Sequence, residues 1–175
     1  MKKRIFLSWA FALATAGAFA QSQVIKVNAL GLIVGQGSVS YERTINAKSA
    51  FQINANYGSF SLLGVGYKAY GGGIDYRRYL SGKIEAPRGF YVSGGLSYSN
   101  ITVSVEGLGS STSPAGFVKL VAGRQWVHGA FALDIFGGIN YNPASDIQIN
   151  GKAYSEYSGI WPSLGIALGY KFGKD

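Results

Sequence analysis

The chain has 175 residues, 47% of them hydrophobic and only 14% charged, against about 25% charged in ordinary soluble domains. It uses 26 glycines and 12 tyrosines, four prolines and no cysteine. These figures exclude a disordered chain, which needs low hydrophobicity and high charge, and any disulfide scaffold or cysteine-held metal site. One domain with a real core fits the length.

Lys2, Lys3 and Arg4 open the chain, and an apolar stretch follows from Ile5 to Ala20. Ala18-Phe19-Ala20 is the small-x-small pattern read by signal peptidase, which predicts a signal peptide over 1–20. The stretch is short for a membrane anchor of about 20 residues. One domain, 21–175, is then expected. Removing three of the 16 basic residues leaves 13 against 8 acidic, a net charge near +5. An exported chain with scattered charge is not expected to bind nucleic acid.

Beyond Gln21 no run of 18 apolar residues occurs, and helical periodicity is missing. Alternation with period two recurs instead. Phe51, Ile53, Ala55 and Tyr57 alternate with polar Gln52, Asn54 and Asn56. Phe131 to Tyr141 and Leu164 to Phe172 alternate in the same way. Eight strands are predicted, over 24–33, 37–45, 50–57, 64–79, 89–105, 117–127, 130–141 and 160–172. A Gly/Ser-rich connection, Glu106 to Gly116, joins the fifth and sixth. Asn142 to Gly159 joins the last two. Asn150-Gly151 is a strong hairpin signal. Ile147 and Ile149 share the parity of strand seven, which predicts that strands seven and eight continue past Tyr141 and Ile160 with a bulge at Pro143. A parity slip at Asn100, before Ile101, Val103 and Val105, predicts another bulge.

An eight-stranded interior is only wide enough for side chains. Gly71, Gly73, Ser93, Gly95, Ser97, Gly165 and Gly169 fit such a space. The opposite parity carries large apolar residues that would overfill it, so it must face lipid. One end of the strands carries Tyr76, Tyr79, Phe90, Trp126, Phe131, Tyr170 and Phe172. The other carries Tyr57, Tyr67, Tyr98, Tyr141 and Trp161. Two aromatic belts around an aliphatic band are what a membrane barrel needs. The fold class is therefore all-β, an eight-stranded antiparallel up-and-down transmembrane barrel.

The chain resembles the small eight-stranded outer-membrane β-barrels of Gram-negative bacteria, of the OmpA/OmpX/OmpW kind. The resemblance rests on the signal peptide, the eight alternating segments and the ending Leu164-Gly165-Ile166-Ala167-Leu168-Gly169-Tyr170-Lys171-Phe172. That ending looks like the strand read by the outer-membrane assembly machinery, with Tyr170 and Phe172 as its aromatic signal. A short Gly173-Lys174-Asp175 tail departs from relatives that stop on the aromatic. The resemblance implies an outer-membrane location, with lipopolysaccharide and phospholipid as neighbours.

Lys26, Glu42, Asp75, Arg77, Lys119, Asp134 and Lys171 fall on the inward parity. Four basic and three acidic groups nearly balance, which suits a structural charge network better than a catalytic or conducting one. Arg43, Arg78 and Arg124 point outward beside the inner aromatic belt. There they either hold phospholipid phosphates or serve general interfacial solubility. His128 is the sole histidine, in a predicted turn, and no Ser/His/acid set assembles at the opposite rim. No cofactor or metal site is expected. The leading reading is a non-enzymatic barrel with a structural, envelope or surface-interaction role, any partner being met through the outer loops. The alternatives are lateral transport of hydrophobic molecules and a secreted lipocalin-like binding barrel.

Overall fold

The computed structural model describes residues 22–33, 35–62, 64–106, 109–143, 147–149, 152–154 and 159–173. Its first half contains β1 (Gln23–Asn28), α1 (Ala29–Ile33), β2 (Gln36–Asn46), β3 (Ser49–Leu62) and β4 (Val65–Tyr79). The second contains β5 (Gly89–Val105), β6 (Gly109–His128), β7 (Phe131–Asn142), β8 (Ile147–Ile149), β9 (Lys152–Tyr154) and β10 (Gly159–Phe172). Eight strands close an antiparallel barrel in the order β1-β10-β7-β6-β5-β4-β3-β2. Closure pairs Gln23 with Phe172. No sheet edge is then left along the paired wall, the condition for crossing lipid with strands.

Inside and outside are inverted relative to a soluble barrel. Ile53, Leu96, Leu120 and Leu164 are 57–67% exposed on the outer wall, while Glu42 and Asp134 are fully buried within. An apolar exterior around a charged interior is the reverse of what a lipocalin-like barrel requires.

The short β2–β3 and β6–β7 turns lie at the end where β1 starts and β10 finishes, the periplasmic end by the usual pattern of such barrels. In the first, the Lys48 backbone N–H donates to Asn46 Oδ1 at 2.9 Å, an Asx turn. In the second, Gly129 at φ 58° takes the left-handed conformation that a tight hairpin needs.

Several boundaries differ from the sequence expectations. The first strand ends at Asn28 rather than at residue 33, because Asn28 Oδ1 accepts from the Gly31 N–H at 3.2 Å and caps the short helix α1. β3 runs to Leu62, not 57. The connection expected over Glu106 to Gly116 is mostly strand, since β6 begins at Gly109 and pairs with β5 as far as Val105↔Gly109. There is no bulge at Asn100: the register of β5 with β4 and β6 is continuous through it. Above the lipid the outer face meets water, so Asn100, Thr102 and Ser104 hold the outward parity and Ile101, Val103 and Val105 turn inward. The apparent slip is a change of solvent.

Strand seven does not continue to Ile147 and Ile149 either. β7 stops at Asn142, Pro143 follows it, and Ile147 pairs with Tyr154 in a separate two-stranded sheet. The Asn150-Gly151 turn lies outside the described residues, as do residues 1–20, where a signal peptide is expected.

Candidate functional site

The inward side chains assemble in layers. Lowest is a cluster whose four charged groups come from β1, β2, β4 and β7. Lys26 Nζ stands 2.6 Å from Glu42 Oε2 and 3.0 Å from Asp134 Oδ2. Arg77 Nη1 stands 2.7 Å from the same Asp134 oxygen and 3.4 Å from Glu42 Oε2. Two cations and two carboxylates balance, each almost wholly out of solvent. Lys26 and Arg77 also donate to Gln125 Oε1 at 2.8 and 3.3 Å. Two tyrosines complete the carboxylate valences: Tyr79 donates to Glu42 Oε1 at 2.5 Å and Tyr91 to Asp134 Oδ1 at 2.8 Å. The Arg77 guanidinium lies 4.3 Å over the Tyr91 ring.

Glycine makes the room. A Cβ at Gly169 would stand 2.6 Å from Lys26 Cγ, and one at Gly123 would stand 2.7 Å from the Tyr91 hydroxyl. The periplasmic connection then closes the cluster from below. The Ala86 N–H donates to Ala47 O at 2.9 Å, and Gln125 Nε2 to Pro87 O at 2.8 Å.

A second ion pair sits apart from this cluster. Lys119 Nζ lies 2.8 Å from Asp75 Oδ2, which also accepts from Asn54 at 3.0 Å and Gln52 at 3.2 Å. On the outer side the lumen widens into a cavity of about 590 Å³. The lumen is thus plugged in its periplasmic half and open in its outer half, where complete filling was expected. Gln52 Oε1 and Arg77 Nε have no hydrogen-bond partner among the described residues.

Of the expected luminal set, Lys171 keeps the inward parity, opposite Val24. It lies at the periplasmic end of β10, half-buried, its backbone N–H donating to Ala130 O at 2.7 Å. The expected aromatic belts also need correcting. Tyr79 is buried in the lower cluster, 1% exposed, because it shares the parity of Asp75 and Arg77. Tyr67 faces inward above the lipid, opposite Phe60, with their rings stacked at 5.0 Å. Trp161 is on the inward parity of β10, opposite Asn140. Tyr70 replaces them on the lipid face. Gln125, Tyr79 and Tyr91 were missed as luminal groups. Strict counting of alternation finds all three.

On the outer wall Arg124 rests 4.7 Å over the Phe90 ring and 4.9 Å over the Trp126 ring. Arg78 donates to Ser49 Oγ at 3.0 Å, and Arg43 is half-buried opposite Phe51. Tyr170 is exposed, whereas Phe172 is half-buried with its ring 6.4 Å from that of Tyr41.

No family model matches the chain, and no curated protein does. Among solved structures it is similar to Neisserial surface protein A, with 16% identity and a TM-score of 0.55 over 88% of this chain and 94% of that one. A second similar structure is Ail, the attachment invasion locus protein of Yersinia pestis, with 12% identity and a TM-score of 0.47 over 87% and 97%. The fold is that of the small eight-stranded outer-membrane β-barrels.

Proposed function

We propose that the chain is a non-enzymatic outer-membrane protein whose role is structural or one of surface interaction, exported by a signal peptide cleaved before Gln21. The observation that carries the reading is the charge-balanced lower cluster. Lys26, Arg77, Glu42 and Asp134 consume one another's charges, and Tyr79, Tyr91 and Gln125 fill remaining valences. Carboxylates balanced by two cations and hydrogen-bonded to two tyrosines are poorly placed for acid–base work, which needs a free valence. It also blocks a water path through the barrel. What remains for interaction is the outer end, where β5 and β6 rise as a long hairpin and β8–β9 form a sheet of their own.

Neighbours in this reading are lipopolysaccharide outside, phospholipid at Arg43, Arg78 and Arg124 inside, and the assembly machinery at Tyr170 and Phe172. The test is fractionation. The protein should remain with outer membranes after a high-salt wash, migrate faster unboiled than boiled, and begin at Gln21. Recovery in the soluble periplasm with no heat-dependent shift would overturn the reading.

A further inference from the structure

The outer half of the barrel holds two features that the structural role does not use. One is the 590 Å³ cavity, within the range of about 300–1,000 Å³ typical of ligand sites. The other is a gap in the strand wall. β1 ends at Asn28, opposite Ala167, while β10 continues upward to Gly159. The helix α1 follows β1 directly and packs on both β10 and β2, and its Leu30 and Gly31 line the cavity together with Pro162 and Ser163 of that stretch. Pro162, which cannot donate a ladder hydrogen bond, falls in this stretch. Leu164 is 67% exposed on the lipid side, yet it borders the cavity together with Leu30 and Gly31 of α1. Irregular backbone at membrane depth is tolerated where it lines a cavity. The cavity therefore reaches the wall at this seam.

The lining states what chemistry fits. Asn54, Asn56, Ser97, Ser99, Asn140 and Ser163 offer neutral amides and hydroxyls. Phe117 and Phe136 add two phenyl rings, and the tip of the Phe136 ring lies over Gly165, where any side chain would overlap it. The charges at the floor are already paired, Lys119 with Asp75 and Arg77 with Asp134. A charged ligand would find no free counter-ion among these four. A molecule with hydroxyls that both donate and accept, and with apolar C–H faces for the rings, matches every group named.

We propose that the outer vestibule binds a neutral glycoside, the sugar seated among these side chains and any aglycone leaving through the seam at α1. The proposal rests on the outer-membrane reading above and names the ligand class of its outer surface. Such a glycoside has two sources, a glycolipid entering from the leaflet or a free glycan entering from outside.

Trp161 adjoins the lining residue Pro162 and reports on the site once Trp126→Phe removes the other tryptophan of the exported chain. The protein, purified from outer membranes in lauryldimethylamine oxide, is titrated with maltose, with lactose and with dodecyl maltoside. Hexaethylene glycol monododecyl ether serves as the tail without a sugar. A saturable change in Trp161 emission with a sugar-bearing probe, absent with the sugar-free tail, supports the site. Saturation by dodecyl maltoside at about tenfold lower concentration than maltose, equivalent to about 1.4 kcal/mol, assigns the glycolipid source. Equal concentrations assign the free glycan. Ser163→Phe, which fills the cavity, and Asn56→Leu, which removes an amide, should each lose the response while keeping the heat-dependent gel shift. No saturable response to any sugar-bearing probe, or an equal response to the sugar-free tail, overturns the proposal. The gel shift fails only if the barrel reading itself is wrong.

Discussion

Arg77 Nη1 on β4 lies 2.7 Å from Asp134 Oδ2 on β7, three strands away around the wall. The same carboxylate takes Lys26 from β1 and the Tyr91 hydroxyl from β5. One side chain thus links four strands across the lumen. Removing one partner of a buried ion pair leaves an uncompensated charge, whereas making the pair gains little net energy. Asp134→Ala is therefore expected to destabilise the barrel by about 3–5 kcal/mol. The urea midpoint of the variant refolded in lipid vesicles measures this, and an unchanged midpoint would refute it.

Gly95 gives a steric counterpart. A Cβ there would overlap Asp75 Oδ1 and stand 2.7 Å from the Ile74 carbonyl. Backbone cannot yield as a flexible chain end can, so Gly95→Ala should displace Asp75 and disturb its contact with Lys119. Overpacking of this kind costs about 1–3 kcal/mol. Loss of urea stability without loss of outer-membrane targeting is the expected result. Gly94→Ala is the control, because a Cβ at Gly94 would meet only the Leu120 side chain at 3.6 Å.

Alternation carried most of the architecture in the sequence, because an eight-stranded lumen and a lipid exterior demand opposite residue sizes on opposite parities. It failed where the solvent changes. At Ile101 the outside becomes water and the apolar parity inverts, which imitates a bulge. Residue type misled where parity did not: Tyr79 reads as an interfacial aromatic, but its alternation with Arg77 puts it in the lower cluster. The helix α1 was hidden because Ala-Leu-Gly-Leu-Ile also suits a strand, and only the cap at Asn28 distinguishes the two. The grouping of charges into a lower cluster and a separate Lys119–Asp75 pair depends on height and stagger around the barrel, which a linear sequence does not display.

Arg124 lies over two rings at the periplasmic interface. An exposed cation–π contact is worth about 0.5–1 kcal/mol, so Arg124→Gln should leave stability in neutral phosphatidylcholine vesicles almost unchanged. If the guanidinium holds lipid phosphates, the variant should lose the extra stability that wild type gains from anionic phosphatidylglycerol. Comparing urea midpoints in the two lipids separates the contributions. An equal gain for wild type and variant would leave Arg124 a general interfacial residue.

The last prediction concerns the segment between β7 and β10. β8 and β9 pair with each other as a sheet separate from the barrel ring, while Asn142 and Gly159 already close the β7–β10 ladder. Removing the separate sheet breaks none of the ring's strand pairs, and loops of this kind tolerate replacement when little barrel backbone depends on them. Replacing Asp146 to Glu156 with a short Gly-Ser turn should therefore preserve the heat-dependent gel shift and change the urea midpoint little. Any surface adhesion or ligand binding should fall, because the periplasmic turns face away and the wall is covered by lipid. A variant that no longer folds would show that β8 and β9 support the barrel. Intact adhesion would move the contact surface to the β5–β6 hairpin, whose Val105↔Gly109 end stands above the membrane without them.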